Sequence, residues 1–413
     1  MAQVETQQTA GRAAALAWTA LVTSALIQIV ALGPVLYTPG ILAVYWVKAW
    51  GVSRGTILLG SVLCLQFAGI LSIFVGRMLA SKIREYLLIA AGALFAALTF
   101  AAFALATSVW HVLLAYCLLG SVAKALAGPL VGQALAVRLF RKPGVPLSIV
   151  TLGMKGSAAF APVIVALLLE HYSLKAALGL TALLVLACAP LAVLLVRPGS
   201  KLPDVAEEGW PPAGAAEALN VSTLKILRDP TFFGLFLMCI AVIGLSGAVY
   251  LNLPLYVVEL GGKPSDAALI FSGATILSAL FTPLVGWASD RVDLRILMVL
   301  PLLFVATAVT LLSLFPTLPF VIAAIPFVSF ANAVFLPCYP VCLNARFGQA
   351  LFPRAMGLGQ PFFYGANLVA LVAGILRDHL PSYAATFQAL SVLLAIGVVG
   401  YGLIARTVRT RAV

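Results

Sequence analysis

Two lysines lie deep inside long apolar stretches of this 413-residue sequence, where a charged side chain is most unusual. Lys124 and Lys155 fall near the middle of the fourth and fifth of these stretches. A charge at the centre of a membrane helix costs at least ~2.5–3.5 kcal/mol, so charges at this depth mark candidate functional sites. Counted from the ends of the two stretches that face the same side, the lysines differ in depth by only about 4–5 Å. They can therefore lie in the same layer of the membrane.

The 13 carboxylates of the chain fall in loops or at the ends of the apolar stretches. The sequence therefore predicts no acidic partner at the depth of Lys124 and Lys155. An ammonium group buried without a counter-charge either loses its proton or is neutralised by an anion. We interpret the two lysines as a site for an anionic ligand. The alternative is that each side chain reaches the membrane surface or a water-filled gap.

The composition places the apolar stretches in a membrane. Hydrophobic residues make up 63% of the chain and charged residues 9%, whereas soluble proteins have roughly 45–50% and 25%. No soluble fold of this length can bury so much apolar surface, so lipid must be the solvent. The net charge of +12 would suggest a nucleic-acid partner in a soluble chain. In a membrane protein, the same excess belongs in the cytoplasmic loops.

Twelve apolar stretches of about 20 residues are each long enough to cross a bilayer. We number them spans 1–12, with centres near residues 30, 66, 95, 124, 157, 185, 244, 276, 304, 331, 364 and 394. With a cytoplasmic N-terminus, eighteen of the 25 lysines and arginines fall in one set of loops and five in the other. This bias predicts a multi-pass protein of the inner (plasma) membrane with both termini in the cytoplasm, and it requires no nucleic acid.

The spans form two sets of six. Residues 1–196 hold the first six, 197–230 form a polar cytoplasmic linker with a surface helix near 215–227, and 231–413 hold the last six. The halves align at an offset of about 208 residues, which pairs Arg138 with Arg346. Parallel six-span repeats are a known plan of transporters, with the substrate site near the bilayer midplane between the halves.

The loop after span 8 carries a recognisable pattern, formed by Gly286, Asp290, Arg291 and Arg295. A glycine, then Asp-Arg, then a closing basic residue between spans 8 and 9 resembles the loop signature of the major facilitator superfamily. This resemblance implies an all-α membrane protein with 12 transmembrane helices in two six-helix pseudo-repeat halves. It also implies a monomeric carrier that works by alternating access, with this loop acting in gating.

The matching loop after span 2 is incomplete. It keeps Gly76 and Arg84, but Ala80 and Ser81 stand where the signature has Asp and Arg. Three segments, GVSR, RLFRKPGVPLSIVTLG and GILRDHLPSY, resemble the oxalate/formate antiporter and monocarboxylate transporter branch. That branch has an arginine in span 8 and, in the oxalate exchanger, a lysine in span 11. Span 8 here has no charge and Tyr364 holds the span 11 position, so the binding residues of the branch are not carried over.

The repeat supplies neutral candidates for the same site, because it pairs Lys124 with Asn332 and Lys155 with Tyr364. Further polar side chains at a suitable depth are Tyr37, Tyr250, Asn252, Gln360 and Asn367. These groups could orient a carboxylate or its tail, although each could instead hold membrane helices together. The pairs Gly33-Pro34, Pro39-Gly40 and Gly128-Pro129 predict bends in spans 1 and 4.

We predict a secondary active transporter of a small organic anion, a mono- or dicarboxylate, working by anion exchange or by symport with protons. The alternative is an efflux pump for hydrophobic drugs or metabolites. The sequence has no nucleophile–base pair, phosphate loop or redox motif, so we predict neither an enzyme nor a cofactor. Cys338 and Cys342 are one turn apart, but with no His or acid nearby they predict no metal site.

Overall fold

The structure is a computed structural model that describes residues 2–81, 83–203 and 221–407. Every regular element in this part of the chain is a helix. Eleven helical runs in it are long and apolar enough to cross a membrane. They are Gly11–Trp50, Leu59–Ala80, Glu85–Leu105, Val109–Leu139, Gly144–His171, Leu174–Ser200, Pro230–Glu259, Leu269–Ser289, Leu294–Leu314, Leu318–His379 and Tyr383–Thr407.

The run Leu318–His379 contains two spans. Its 62 residues would extend roughly 93 Å as one straight helix, about three times the bilayer core. The chain bends at Gly348, whose φ of 68° and ψ of 170° are outside the helical region. Glycine adopts such a positive φ at little cost because it has no Cβ. The bend divides the run into spans 10 and 11, and the predicted count of twelve spans is confirmed.

Several spans are interrupted helices. Spans 1 and 7, which begin the two halves, each contain a five-residue π-helix. The segments of span 1 are Ala2–Ile27, Gln28–Leu32 (π), Gly33–Tyr37 and Pro39–Trp50, and those of span 4 are Val109–Leu114, Ala115–Gly120 (π), Ser121–Ala127 and Pro129–Leu139. Span 6 has Leu174–Leu186, Cys188–Leu191, Ala192–Val196 (π) and Arg197–Ser200, and span 7 has Pro230–Cys239, Ile240–Gly244 (π) and Leu245–Glu259.

The other spans have longer helices, which are Arg54–Ala80, Glu85–Leu105, Gly144–His171, Pro264–Ser289, Leu294–Leu314, Leu318–Ala366, Leu368–His379, Tyr383–Leu390 and Val392–Thr407. The breaks in spans 1 and 4 fall at Thr38 and Gly128, each directly before a proline. Proline lacks an N–H group and is preorganised for the first turn of a helix, so a new helix starts there. Helix breaks thus occur at two of the three predicted pairs, Pro39-Gly40 and Gly128-Pro129, and bending of these spans stays a prediction.

The linker is described only at its two ends. Residues 197–200 continue span 6 as a helix, and the short helix Thr223–Leu227 precedes span 7. The remainder of the predicted helix near 215–227 lies largely outside the described residues.

The chain forms two compact units. The first unit contains Met1–Lys142, Ile149–Leu219 and Gln349–Pro361, and the second contains Pro143–Ser148, Asn220–Gly348 and Phe362–Val413. The start of span 5 therefore belongs to the second unit, and the start of span 11 belongs to the first. Lys124 and Lys155 both lie in the first unit.

Candidate functional site

Lys124 is enclosed in the first unit. It lies on the short helix Ser121–Ala127 of span 4, which packs against spans 2 and 3. Only 4% of Lys124 is exposed. Cys64 of span 2 lies close enough to interact with the Lys124 charge. The surroundings of this ammonium group are therefore other spans of the unit rather than lipid.

Lys155 is partly exposed and lies on the helix of span 5. The opposite side of that helix packs on span 1. Ser157 Oγ donates a 2.9 Å hydrogen bond to the carbonyl of Gln28, and Gly153 lies against Ala25. Lys155 is two residues away from Gly153 and two residues away from Ser157. Two residues correspond to a rotation of about 160–200° around the axis of an α-helix. It therefore points away from span 1.

The described carboxylates lie in the first or last turns of helices or at their caps, as predicted. Three of them form ion pairs, which are Glu85–Arg138 at 2.7 Å, Asp229–Arg346 at 2.7 Å and Glu259–Arg377 at 2.9 Å. Three others accept hydrogen bonds from backbone N–H groups, and these are Asp266, Asp290 and Asp293. Negative charge in the described chain thus holds helix ends, while the two lysines supply positive charge in the interior of spans 4 and 5.

In the second unit, the structure brings two of the predicted neutral residues together. Tyr250 of span 7 lies beside Asn332 of span 10. The Tyr250 hydroxyl also lies 3.1 Å from Ser329 Oγ. The Asn332 amide nitrogen donates to the carbonyl of Val328 at 3.0 Å. These three polar groups form a neutral cluster between spans 7 and 10.

Two other asparagines are engaged with the backbone. Asn252 Nδ2 donates to the carbonyls of Ala248 at 2.8 Å and Ala370 at 3.3 Å, which joins span 7 to span 11. Asn367 is exposed, and its Nδ2 donates to the carbonyl of Phe363 at 3.2 Å within its own span. Asn252 therefore has a helix-packing role in the second unit.

Three further predicted residues lie in different environments. Tyr364 is buried with its ring edge-on to Phe363 at 5.8 Å. Gln360 is buried in the first unit, and Tyr37 is exposed at the end of the helix before the Thr38 break. Their roles as ligands stay predictions.

The signature loop after span 8 binds the start of span 5. The backbone N–H of Gly144 donates to Asp290 Oδ1 at 2.9 Å. A carboxylate is favourable there because the first N–H groups of a helix have no partner within it. Gly286 permits the approach, since a Cβ on it would lie 2.6 Å from the Gly144 carbonyl oxygen. Arg291 covers the Trp287 ring at 4.3 Å, and Arg295 begins span 9, where its N–H donates to Asp293.

The loop after span 2 uses its residues differently. Gly76 packs against the carbonyl of Pro353 and the Cα of Gly357 at the start of span 11. Arg84 donates from Nη1 to the carbonyl of Ser200 at 2.7 Å and so binds the end of span 6. The sequence placed Gly76 and Arg84 in one gating loop, and the structure gives them different partners.

Sequence reasoning missed two features of the site region. The repeat aligned Arg138 with Arg346, but it did not indicate that both form ion pairs at the ends of the linker. Gln28 in span 1 was also overlooked, although its amide is buried. A neutral side chain at membrane depth is a weaker signal than a charge, and this is why only the lysines stood out.

The cysteines lie apart from any candidate cluster of metal ligands in the described part of the chain. Cys338 and Cys342 are buried, and all six cysteines of the chain are free. Among the residues described, no group of three or more His, Cys, Asp or Glu side chains could hold a metal ion.

Comparison with known proteins identifies a single family. The family model described as Major Facilitator Superfamily matches residues 24–263 and 247–412. The multidrug resistance protein MdtG of Salmonella arizonae is 26% identical over 258 residues, and MdtG of Salmonella typhi matches equally well. The match covers 58% of this chain and spans only 61% of the length of these relatives.

Solved structures match over nearly the whole chain. The proton:xylose symporter XylE bound to 6-bromo-6-deoxy-D-glucose has a TM-score of 0.70 at 14% identity, covering 97% of each chain. FucP in its outward conformation has a TM-score of 0.64 at 16% identity, covering 95% of this chain and 98% of its own. The human organic anion transporter MFSD10 (TETRAN) has a TM-score of 0.65 at 15% identity, covering 95% of this chain and 99% of its own. At these identities the likeness shows the fold alone.

Proposed function

This chain belongs to the major facilitator superfamily, and we propose that its cargo is a small organic anion of the mono- or dicarboxylate class. As a member of this family, it is a multi-pass membrane transporter that works by alternating access, and it is not an enzyme. The resemblance to the oxalate/formate and monocarboxylate branch supports the same cargo class. Lys124 and Lys155 supply the positive charge that attracts the anion.

One observation carries this proposal. The two lysines lie in the interior of spans 4 and 5 of one unit, whereas the described carboxylates hold helix ends. A cationic cargo needs negative charge at membrane depth, and this arrangement offers positive charge instead. A carboxylate cargo gains a charge-assisted hydrogen bond from an ammonium group, and such bonds are roughly twice as strong as neutral ones.

The same charges suggest how transport is coupled. Moving two ammonium groups through a region of low dielectric is costly, and a bound anion lowers that cost. We therefore propose that the loaded carrier changes conformation more readily than the empty one. This is the behaviour of an anion exchanger, or of a symporter in which a lysine gains a proton as the anion binds.

Anion uptake into proteoliposomes tests the proposal. Lys124→Gln and Lys155→Gln should each reduce uptake of the transported carboxylate by about 10–100-fold, because a hydrogen bond to a charged group is worth about 1.5–3 kcal/mol. Lys175→Gln is the matched control, since Lys175 is exposed at the start of span 6 and should transport normally. Unchanged uptake in either interior variant would rule out its lysine as a cargo ligand.

A second candidate function is the efflux of hydrophobic compounds. It is favoured by the relatives named multidrug resistance protein MdtG. In that case the lysines only shape the cavity, and a strain that lacks this transporter becomes sensitive to toxic apolar compounds. Resistance restored equally well by the unmodified protein and by Lys124→Gln would favour efflux over anion transport.

We also propose that both termini and the linker lie in the cytoplasm, because positive loop charge accumulates on that side. Single cysteines at Ser222 and Ser382 test this orientation in sealed cells, in a background that lacks the native cysteines. An impermeant thiol reagent should label the second position and leave the first unlabelled. The reverse pattern would invert the topology.

A further inference from the structure

Gln28 has a buried amide whose hydrogen-bonding capacity is unused. It begins the π-helix of span 1, and only 1% of it is exposed. Neither Nε2 nor Oε1 of Gln28 has a hydrogen-bond partner in the part of the chain that the structure describes. Leaving such a group unsatisfied costs about 1–3 kcal/mol. Buried polar groups in native proteins therefore almost always bind protein or ordered water.

The Gln28 amide lies against span 4 at a residue without a side chain. A Cβ on Gly132 would lie 3.2 Å from Gln28 Nε2 and 3.2 Å from Ser24 Oγ. The next residue on span 4, Gln133, is itself buried, and its Oε1 has no partner among the described residues. Two glutamines with unused polar atoms thus lie on neighbouring stretches of spans 1 and 4.

The backbone at Gln28 is held by two hydrogen bonds. Its carbonyl accepts a hydrogen bond from the N–H of Gly33, which closes the π-helix, and another from Ser157 Oγ at 2.9 Å. A shift of span 1 that would give the amide a protein partner would break these two bonds. A partner that binds the amide where it lies keeps both bonds.

We propose that Gln28 and Gln133 bind an internal water molecule shared between spans 1 and 4. The water accepts a hydrogen bond from Gln28 Nε2 and donates one to Gln133 Oε1, so that one orphaned atom of each glutamine is satisfied. Buried waters typically make about three hydrogen bonds, and Gln28 Oε1 or Ser24 Oγ supplies the third. The enclosed position suits a single small polar molecule better than a cargo with a carbon skeleton. π-Helices often mark functional sites, and this one carries the water ligand.

Thermal unfolding of the purified full-length protein tests the shared water. Gln28→Met and Gln133→Met keep the side-chain length but remove the polar atoms. Each should lower Tm by roughly 2–4 °C, because each leaves the water without a partner. The double variant should lose no more than the larger single loss, since either change already abolishes the site. Gln388→Met, at an exposed position of span 12, should leave Tm unchanged.

Three results would overturn the proposal. A higher Tm for Gln28→Met would mean that the amide is truly unsatisfied, because replacing an orphaned polar group with an apolar one stabilises the fold. Fully additive losses would mean that the two glutamines share no ligand. A Gln28→Met protein with normal Tm and a tenfold higher KM for cargo would make Gln28 a cargo ligand.

A structure of the unmodified protein at a resolution that shows ordered water gives a test that does not depend on the variants folding. Density within hydrogen-bond distance of both Gln28 Nε2 and Gln133 Oε1 supports the site. Empty space there would refute it.

Discussion

Two glycine crossings in this molecule are both close backbone contacts, but their polar contacts differ. In the second unit, Gly286 of span 8 packs on Gly144 of span 5, and in the first unit Gly76 of span 2 packs on Gly357 of span 11. A Cβ on Gly286 would lie 2.6 Å from the Gly144 carbonyl oxygen, and one on Gly357 would lie 2.5 Å from that of Ser72. Both crossings therefore exclude any side chain larger than hydrogen.

The hydrogen bond that accompanies the crossing differs between the units. Asp290 accepts the Gly144 N–H at 2.9 Å. The repeat places Ala80 and Pro353 at the equivalent positions of the other crossing. Alanine has no carboxylate and proline has no N–H group, so both the acceptor and the donor are missing there. The comparison shows that close backbone approach and the carboxylate contact are separable features.

The first unit has another polar contact close to its crossing. Gln349 Nε2, at the start of span 11, donates to the carbonyl of Arg138 at 2.8 Å. This bond reaches the end of span 4, where Arg138 itself binds Glu85 and the carbonyls of Ser200 and Leu202. Arg138 thus makes several of the polar contacts at this end of the first unit, whereas in the second unit Asp290 and Arg346 bind different partners.

The largest effect that the comparison predicts is at Arg138. Its ion pair with Glu85 is more enclosed than the pair that Arg346 forms with Asp229, because the side-chain exposures are 15% and 7% for the first pair and 33% and 11% for the second. Breaking an enclosed pair leaves a buried charge, so Arg138→Gln should lower the free energy of unfolding by about 3–5 kcal/mol. Arg346→Gln should cost about 1–3 kcal/mol. Chemical unfolding measures both values, and equal losses would show that enclosure does not distinguish the pairs.

The next largest effects are expected at the glycines of the two crossings. Gly286→Ala and Gly76→Ala should each cost about 1–3 kcal/mol in stability, because the new methyl group meets backbone atoms that must move. Transport should fall in both variants, since the close packing of these spans is lost. Gly273→Ala is the control on span 8, where a Cβ has nothing within 4 Å. If this control were as damaging as Gly286→Ala, the close approach would not explain the effect.

The smallest predicted loss of stability concerns the Asp290 carboxylate. Asp290→Asn keeps an acceptor for the Gly144 N–H but removes its charge, and it should cost about 1 kcal/mol. Introducing the missing acid with Ala80→Asp should bring no gain in Tm, because Pro353 offers no N–H to bind it. A stabilised Ala80→Asp protein would show that the first unit holds a donor for this acid after all.

Much of the fold could be predicted because its energetics are local to each segment. Burying backbone in lipid requires about 20 apolar residues of helix per crossing, so length and hydropathy give the twelve spans. Even the spans joined in the run Leu318–His379 could be separated from the sequence, since 62 residues are too many for one crossing. The breaks at Pro39 and Pro129 follow from the missing N–H of proline.

The candidate site was only partly accessible to the same reasoning. The sequence placed Tyr250, Asn332 and Asn252 at similar depth. The structure shows that Tyr250 and Asn332 meet, while Asn252 bonds to backbone across spans 7 and 11. Depth follows from position along a helix, but the partner of a polar group depends on how each helix is rotated about its own axis. The rotation is set by packing against spans far away in sequence.

The sequence by itself determined where charge lies, with two lysines in the interior of spans 4 and 5 and carboxylates at helix ends. It did so because the cost of a charge in lipid depends on position in a single segment. Only the tertiary structure decided that Asp290 binds Gly144, 146 residues away, and that Gln28 meets the bare backbone of Gly132. Hydrogen bonds act over about 3 Å, and such proximity arises only when all the helices have packed together.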